Sequence, residues 1–464
     1  MLWCASVGWY AFSDMGNKKN GIITDPDAIN KILRRGVAVD ALPSWGALYG
    51  VLTSGKRLRI YTGADPTADT LHLSHAKNFM LLEELRGLGH EVILLVGDFT
   101  ARIGDPTGRG EARKQLTQKE VKENVKKWLL QIRPLMKFDD KKNPPKVLYN
   151  SAWLSRLSFQ EALSLASNFT VQQMLERDMF RRRVYGEWRC KKCNYPNAFE
   201  QNILDRTAQS QECQKCHQKF LKNEIVSSGD GGNKRPIYLH EFLYPLMQGY
   251  DSVAMDVDIE LCGRDQTFNA LAGRTLMRRL KDKEKYILVA NLMENPKTGE
   301  LMSKSRGTGV FLSASPGEMY GAIMAQPDEM IETLFINCTR IPLEEKDGIM
   351  RMGPRNAKAR VAREIVKVFY GEKKAQEAEA GFTQLFSRKD YTGDLPEIRV
   401  APGSTVADVV LQTHKVPSRS EARRLAAAGA IKLDEEALSD IAQKMPVRAG
   451  AVLRIGKKHI YRVK

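Results

Sequence analysis

No apolar run in this chain of 464 residues reaches the ~18 needed to cross a bilayer, so a helical membrane span is excluded. The opening stretch, MLWCASVGWYAFSDMG, is apolar but has no Lys or Arg ahead of its apolar part. That argues against a secretory signal. Residues 1–23 read as a disordered N-terminal lead or an artefact of start-site choice, since Met15 also offers a start. Cysteines are few and odd in number: seven, of which Cys4, Cys262 and Cys338 are scattered and four fall into two C-x-x-C pairs. Such a set argues against a disulfide framework and for a reducing, cytoplasmic compartment. There is no internal repeat and no long low-complexity segment. GDPTG at 104–108 lacks the G-K-[ST] ending of a P-loop and is rejected as one.

What is plentiful is positive charge. Lys and Arg number 72 against 55 Asp and Glu, a net +17, which favours a polyanionic partner. No basic amphipathic helix stands out to suggest a membrane surface. The length suggests two to four domains at about 150 residues each, and a hydrophobic fraction of 42% supplies an ordinary globular core.

Residues 24–50 read as helical, with Asp25 or Asp27 able to cap. RLRIYTG (57–63) reads as a strand stopped by Gly63, and a helix follows from about Leu71. EVILLVG (91–97) is a continuous apolar run of the kind found in buried parallel strands, and KVLYNS (146–151) looks like another. Strands alternating with helical stretches indicate an α/β fold with a parallel sheet. Ligands on such sheets bind at the carboxyl ends of strands. Residues 184–234 break this rhythm, hold both C-x-x-C pairs and look inserted. From 316 to 390 the chain reads helical, 393–404 reads as a linker, and the last sixty or so residues form a small basic module.

Two segments carry chemistry. In DPTADTLHLSH (65–75), Asp69 or Thr70 can cap the following helix, and His72 and His75 share a face near its N-terminus. That end attracts phosphate, and two imidazoles there can donate to a triphosphate as its charge grows. Taken alone, the pair also fits a helix surface or a metal site. LMSKSRGTG (301–309) is a polar loop in which Lys304 can neutralise a leaving pyrophosphate while Ser303 and Ser305 bond its oxygens; alone it also fits a solvated loop. A third pattern lies in FLYPLMQGYDS (242–252). Tyr244, Gln248 and Asp251 are spaced four and three, so all lie on one helical face. Gln and Asp buried there without partners would be expensive, so a polar pocket is the better account than core packing.

Together and in this order, His72-Leu73-Ser74-His75 and Leu301-Met302-Ser303-Lys304-Ser305, about 230 residues apart, resemble the two signatures of the class I aminoacyl-tRNA synthetases. YTGADPTADTLHLSH, GDFTARIGDPTGR, FLYPLMQGYDS and ELCGRDQTFN resemble the tyrosyl branch of that family, and the likeness covers about 24–464 apart from the insertion. It implies activation of L-tyrosine with ATP to the adenylate plus pyrophosphate, then transfer to the 3′ end of tRNA-Tyr. His72, His75, Lys304 and Gln266 would be catalytic. Asp65, Thr67, Gly263, Asp265, Ser303 and Ser305 would join the histidines and Lys304 in binding ATP, with Mg²⁺ accompanying it. Tyr61 and Asp251 would hold the substrate phenol, Asp105, Tyr244 and Gln248 its ammonium with Thr100 nearby, and Gln266 its carboxyl group. A free tyrosine needs an acceptor deep in an apolar slot and carboxylate near its ammonium, and this set supplies both. The fold implied is a Rossmann-like parallel-sheet catalytic domain (24–300), a signature loop and helical anticodon-side domain (301–392), a linker (393–403) and a small α+β RNA-binding domain (404–464). The family also implies a homodimer. Departures from its pattern are Leu301 for Lys, Cys262 for Gly, Arg264 for a small hydroxyl residue and Ser74 for Gly. One rival is a tryptophanyl relative, which has no use for a phenol-binding Asp251; another is an RNA-binding protein with weak catalysis.

Cys190-x-x-Cys193 and Cys213-x-x-Cys216 are separated by nineteen residues. Each pair can turn both sulfurs onto one ion, giving a four-thiolate, structural Zn²⁺ site in a ribbon over 184–234. The tail TVADVVLQTHKVPSRSEARRLAAAGAIKLDEE (405–436) resembles the S-four-like RNA-binding fold, with helices near 405–413 and 418–428 presenting Lys415, Arg419, Arg423 and Arg424. From 401 to 464 there are 12 Lys or Arg and 6 Asp or Glu, a net +6 available to phosphates.

Overall fold

The computed structural model describes residues 18–104, 116–177, 180, 183–184, 187–192, 196–198, 210–213, 216–221, 237–302, 309–387, 395–413, 416, 418–446, 448–456 and 459–464. It falls into two compact units, 1–314 with 326–371, and 315–325 with 372–464.

The first unit is built on six strands: β1 (Ala38–Leu42), β2 (Arg59–Ala64), β3 (Glu91–Val96), β4 (Lys146–Tyr149), β5 (Ile259–Gly263) and β6 (Tyr286–Ala290). Their order is β1-β6-β5-β2-β3-β4, with β1 antiparallel to β6 and every other pairing parallel. EVILLV forms β3, and its residues from Val92 to Val96 are all buried, as a continuous apolar run requires. Helix α1 (Leu73–Gly87) connects β2 to β3, α2 (Leu239–Met255) precedes β5, and α3 (Thr267–Lys281) connects β5 to β6. From β2 the chain crosses to β3 on one side, and from β5 to β6 on the other. The strand order therefore reverses between β2 and β5, where α/β sheets open a crevice at their carboxyl ends.

The sequence expectations need correction at several points. Residues 24–50 are not one helical region: Pro26–Leu33 and Trp45–Thr53 are helices, and VAVDAL between them supplies β1. The sheet is thus mixed, its odd edge strand paired with β6. Neither Asp69 nor Thr70 caps α1; His72 is the N-cap. The linker at 393–404 contains the short strand Glu397–Ile398. The inserted region, by contrast, does break the α/β rhythm as expected: it holds two hairpins, Glu187–Arg189 with Pro196–Ala198 and Ser210–Glu212 with Lys219–Leu221.

In the second unit, the helices Pro316–Met324 and Glu372–Phe382 meet through Tyr320 and Phe382, whose ring centroids are 5.4 Å apart. A five-stranded sheet runs in the order Glu397–Ile398, His459–Val463, Val452–Ile455, Ile431–Leu433, Glu436–Ala437. Helices Val406–Gln412 and Arg419–Ala427 contribute Val406, Val409, Val410, Ala422 and Ala426 to one core with Ile431, Leu453 and Val463 from that sheet. Helices expected together over 301–392 are thus shared between the two units.

Candidate active site

Tyr61 lies on β2 beside Glu260 of β5, at the point where the strand order reverses. Its ring is buried among Ile93, Leu95, Met255 and Val257, with Leu148 and Trp153 at the margin. Its hydroxyl lies 2.9 Å from Ser252 Oγ. Burial first, then the nearby Glu260 and Asp251 carboxylates, pushes its pKa well above that of a free phenol, so it stays a neutral hydroxyl.

Asp251, on the inward face of α2, is buried. It accepts from Trp153 Nε1 at 2.7 Å and from Asn150 Nδ2 at 3.3 Å. Burial holds its carboxyl well above the ordinary range despite those two donors, with Asp65 and Glu260 adding to the rise. Asn150 Nδ2 also donates to Thr100 Oγ1 at 3.1 Å, and Thr100 donates to Asp65 Oδ1 at 2.7 Å. The Tyr244 hydroxyl extends this chain by donating to Asp65 Oδ2 at 2.9 Å. Asp65, assigned to ATP from the family pattern, is thus tied to Thr100 and Tyr244 of the tyrosine set. This packing requires glycine at 97, where a Cβ would lie 1.9 Å from Asp65 Oδ1 and 2.4 Å from Thr100 Oγ1.

Further along the crevice, Gln248 Nε2 donates to Glu260 Oε1 at 3.0 Å. Asn269 Nδ2 donates to Gln248 Oε1 at 2.8 Å and to Gln266 Oε1 at 2.9 Å. Gly263 ends β5, and Arg264, Asp265 and Gln266 form a single 3₁₀ turn before α3, with Arg264 and Asp265 exposed. Cys262 is buried and packs on Ala270, Ile287 and Val289.

His72 and His75 stand at the start of α1 with ring centroids 4.1 Å apart. The His72 backbone N–H donates to His75 Nδ1 at 3.3 Å. Burial lowers the His72 imidazole to about 4 and the His75 imidazole to about 3, the latter helped by its neighbour. Both are neutral near pH 7, so each ring carries a single N–H donor. Thr67 lies in the loop before them, its N–H bonded to Asp65 O at 2.7 Å. The stretch after the second signature docks here: Leu73 N donates to Val310 O at 3.0 Å and Leu312 N to Leu71 O at 2.9 Å. On the other side, Met302 N donates to Met293 O at 2.9 Å. Ser303, Lys304 and Ser305 fall between these two anchors and lie outside the described residues, as do Asp105, Cys193 and Lys415.

In the inserted region, the sulfurs of Cys190, Cys213 and Cys216 lie within 4.8 Å of one another. Trp188 and Phe220 pack against them. His217 instead faces Glu212, 2.9 Å away. In the second unit, Arg419, Arg423 and Arg424 are exposed; Arg419 pairs with Asp408 and Arg424 with Glu421, each at 2.7 Å.

Sequence reasoning missed Asn150, Trp153, Ser252, Glu260, Asn269 and Lys285. Asn150 had a signal, for it directly follows the carboxyl end of β4. The others are known only from what the fold brings to them.

A model of the tRNA synthetases class I (W and Y) family matches residues 53–197 and 201–387. The chain belongs to that family. A tyrosine–tRNA ligase of Moorella thermoacetica is 37% identical over 443 residues, covering 93% of this chain and 95% of the relative. That of Thermotoga maritima is 34% identical over 444 residues, covering 94% and 98%. Among solved structures, the C-terminally truncated mitochondrial tyrosyl-tRNA synthetase of Aspergillus nidulans superposes with a TM-score of 0.56 at 22% identity, covering 77% of this chain and 94% of that one. The Archaeoglobus fulgidus tyrosyl-tRNA synthetase, solved with L-tyrosine, gives 0.52 at 19%, covering 76% and 100%. Both structures support the synthetase fold.

Proposed function

We infer that the chain acts as a tyrosine–tRNA ligase, joining L-tyrosine to ATP and then to its tRNA. The observation that carries the reading is the hydrogen-bonded chain Asp251–Asn150–Thr100–Asp65–Tyr244, set at the switch point of the sheet, with two neutral histidines at the start of the helix that follows β2. Asp251, with the Tyr61 hydroxyl, receives the substrate phenol. The other end of the slot, with Asp65, Asp105, Tyr244 and Gln248, suits an ammonium, and Gln266 faces the carboxylate. In-line attack of that carboxylate on the α-phosphorus of ATP expels pyrophosphate, so the chain's task is positioning and charge stabilisation. His72 and His75 donate to the phosphates, with the free N–H groups of α1 behind them. Thr67, Gly263 and Asp265 flank the nucleotide, while Ser303, Lys304 and Ser305 meet the leaving pyrophosphate, with Mg²⁺ accompanying ATP.

Three finer assignments go with this. Cys190, Cys193, Cys213 and Cys216 hold a structural Zn²⁺ ion, which the convergence of three of these thiols supports. The C-terminal sheet and its two helices form the S-four-like RNA-binding domain, in which Lys415, Arg419, Arg423 and Arg424 contact tRNA phosphates. The chain is a homodimer, and exposed Phe159 and Leu163 on one helix with Leu239 and Leu243 on α2 supply apolar surface suited to a second copy.

Pyrophosphate exchange measured with each of the twenty amino acids tests the activity: tyrosine should support it and phenylalanine should not. Asp251→Ala should shrink the tyrosine preference at least tenfold, because the phenol then lacks its buried acceptor. An intact preference would overturn the pocket assignment.

A further inference from the structure

One buried ion pair at the edge of the site has been given no role so far. Lys285, immediately before β6, is fully buried, and its partner Glu260 on β5 is 2% exposed. The Lys285 ammonium donates to Glu260 Oε2, to Ser252 Oγ at 2.8 Å and to Ala270 O at 3.1 Å, so all three of its protons are taken. Room for it depends on glycine at 273, where a Cβ would lie 2.4 Å from Lys285 Nζ and 2.9 Å from Ser252 Oγ. Such a pair is weak evidence for stability, since two desolvated charges roughly offset their attraction. Its use is better sought in what it touches.

Glu260 can only accept. Its Oε2 takes Lys285 and its Oε1 takes Gln248 Nε2 at 3.0 Å, which turns the Gln248 carbonyl the other way. Asn269 Nδ2 then meets that carbonyl at 2.8 Å and the Gln266 carbonyl at 2.9 Å. With its oxygen turned to Asn269, Gln266 has its NH₂ pointed away as a donor. A fixed charge at one end thus orders three amides, each of which would otherwise be free to flip. The order presents an amide oxygen of Gln248 at the ammonium end and an amide NH₂ of Gln266 at the carboxylate end. The second arm, Lys285 to Ser252 to the Tyr61 hydroxyl at 2.9 Å, reaches the phenol end of the same slot.

We propose that the Lys285–Glu260 pair is a positioning device for the amino-acid substrate, setting the hydrogen-bond direction of the Gln248–Asn269–Gln266 chain. This rests on the reading that Gln248 and Gln266 contact tyrosine. Neither Lys285 nor Glu260 touches the substrate.

The test compares Glu260→Gln, Glu260→Gln/Lys285→Met, Asn269→Ser and Gln248→Ala in tyrosine-dependent pyrophosphate exchange, with thermal midpoints measured alongside. Glu260→Gln leaves a buried ammonium unpaired and should lower the midpoint. The double variant removes that charge and should recover it. In both, the KM for tyrosine should rise about tenfold or more, while the KM for ATP stays within about twofold. A double variant that regains both its midpoint and the original tyrosine KM overturns the proposal, for the pair then serves packing alone. An equal rise in the ATP KM overturns it too. Should the double variant not fold, Asn269→Ser cuts the chain without touching a charge and must still raise the tyrosine KM selectively; an unchanged KM overturns the proposal. Gln248→Ala separates the two levels. If it raises the tyrosine KM while the pair variants do not, only the positioning role fails; if it does not, the reading of the pocket fails with it.

Discussion

His72 and His75 make stability a function of acidity in a way that can be worked out beforehand. Each imidazole falls from its ordinary 6.5, to about 4 and about 3 respectively, because burial disfavours the charged form. The folded chain therefore keeps both neutral while the unfolded chain takes up protons below 6.5. Stability from this source is complete above that value and is lost as pH falls toward the folded values. Near pH 5 the unfolded imidazole is about 1.5 units below its midpoint, and at about 1.4 kcal/mol per unit each histidine forfeits about 2 kcal/mol. The pair forfeits about 4 kcal/mol between roughly pH 7.5 and 5. The perturbation is the double variant His72→Asn/His75→Asn, in which the position 75 side chain can still accept from the residue 72 N–H. Urea unfolding at the two pH values, followed by a probe of the first unit, gives the difference. The variant should lose about 4 kcal/mol less than the parent on acidification. Equal losses within about 1 kcal/mol would refute the burial of these rings as neutral groups. Saturating ATP should blunt the parent's acid loss, since a phosphate beside the rings favours their charged form.

Gly97→Ala places a Cβ 1.9 Å from Asp65 Oδ1 and must break the Thr100–Asp65 bond; the tyrosine KM should rise about tenfold, and a variant with normal exchange kinetics would count against the role given to the Asp251–Tyr244 chain. Cys213→Ser removes a fully buried thiol of the cysteine cluster. Bound zinc measured by atomic absorption should drop from about one equivalent toward none, with exchange activity kept within about threefold; unchanged zinc content would remove Cys213 from the ligand set. Replacing Arg419, Arg423 and Arg424 by Ala should flatten the log–log salt dependence of tRNA affinity by about two to three while leaving exchange untouched. An unaltered slope would exclude these arginines from the phosphate contacts.

The parts legible in the sequence share a property: local pattern alone decided them. EVILLV reads as a buried parallel strand because a strand covered on both faces needs apolar side chains at every position. Tyr244, Gln248 and Asp251 read as one face because helical spacing brings every third or fourth residue into line. The edge strand Ala38–Leu42 did not read, since its burial pattern is broken and it pairs antiparallel with a strand more than 240 residues away. Its identity as a strand comes from that pairing more than from any preference in VAVDAL.

Lys285 shows why the rest stays hidden. In KDKEKYILVA it is one lysine among several at the polar start of a strand, where a solvated ammonium is the ordinary expectation. What buries it is glycine at 273 on α3, which leaves room for the amine beside Ser252, and glutamate at 260 on β5, which faces it. The four are spread over residues 252–285, on α2, β5, α3 and the approach to β6, so no short local pattern contains them. Cys262 makes the converse point. In the sequence it stands only as a departure from the family's glycine. In the fold its thiol packs into the sheet against Ala270, Ile287 and Val289, and burial pushes it well above the ordinary thiol range, so it sits as a small inert hydrophobe. A departure from a motif is therefore judged by the direction its side chain takes, and the partners that set that direction are supplied by α3 and β6.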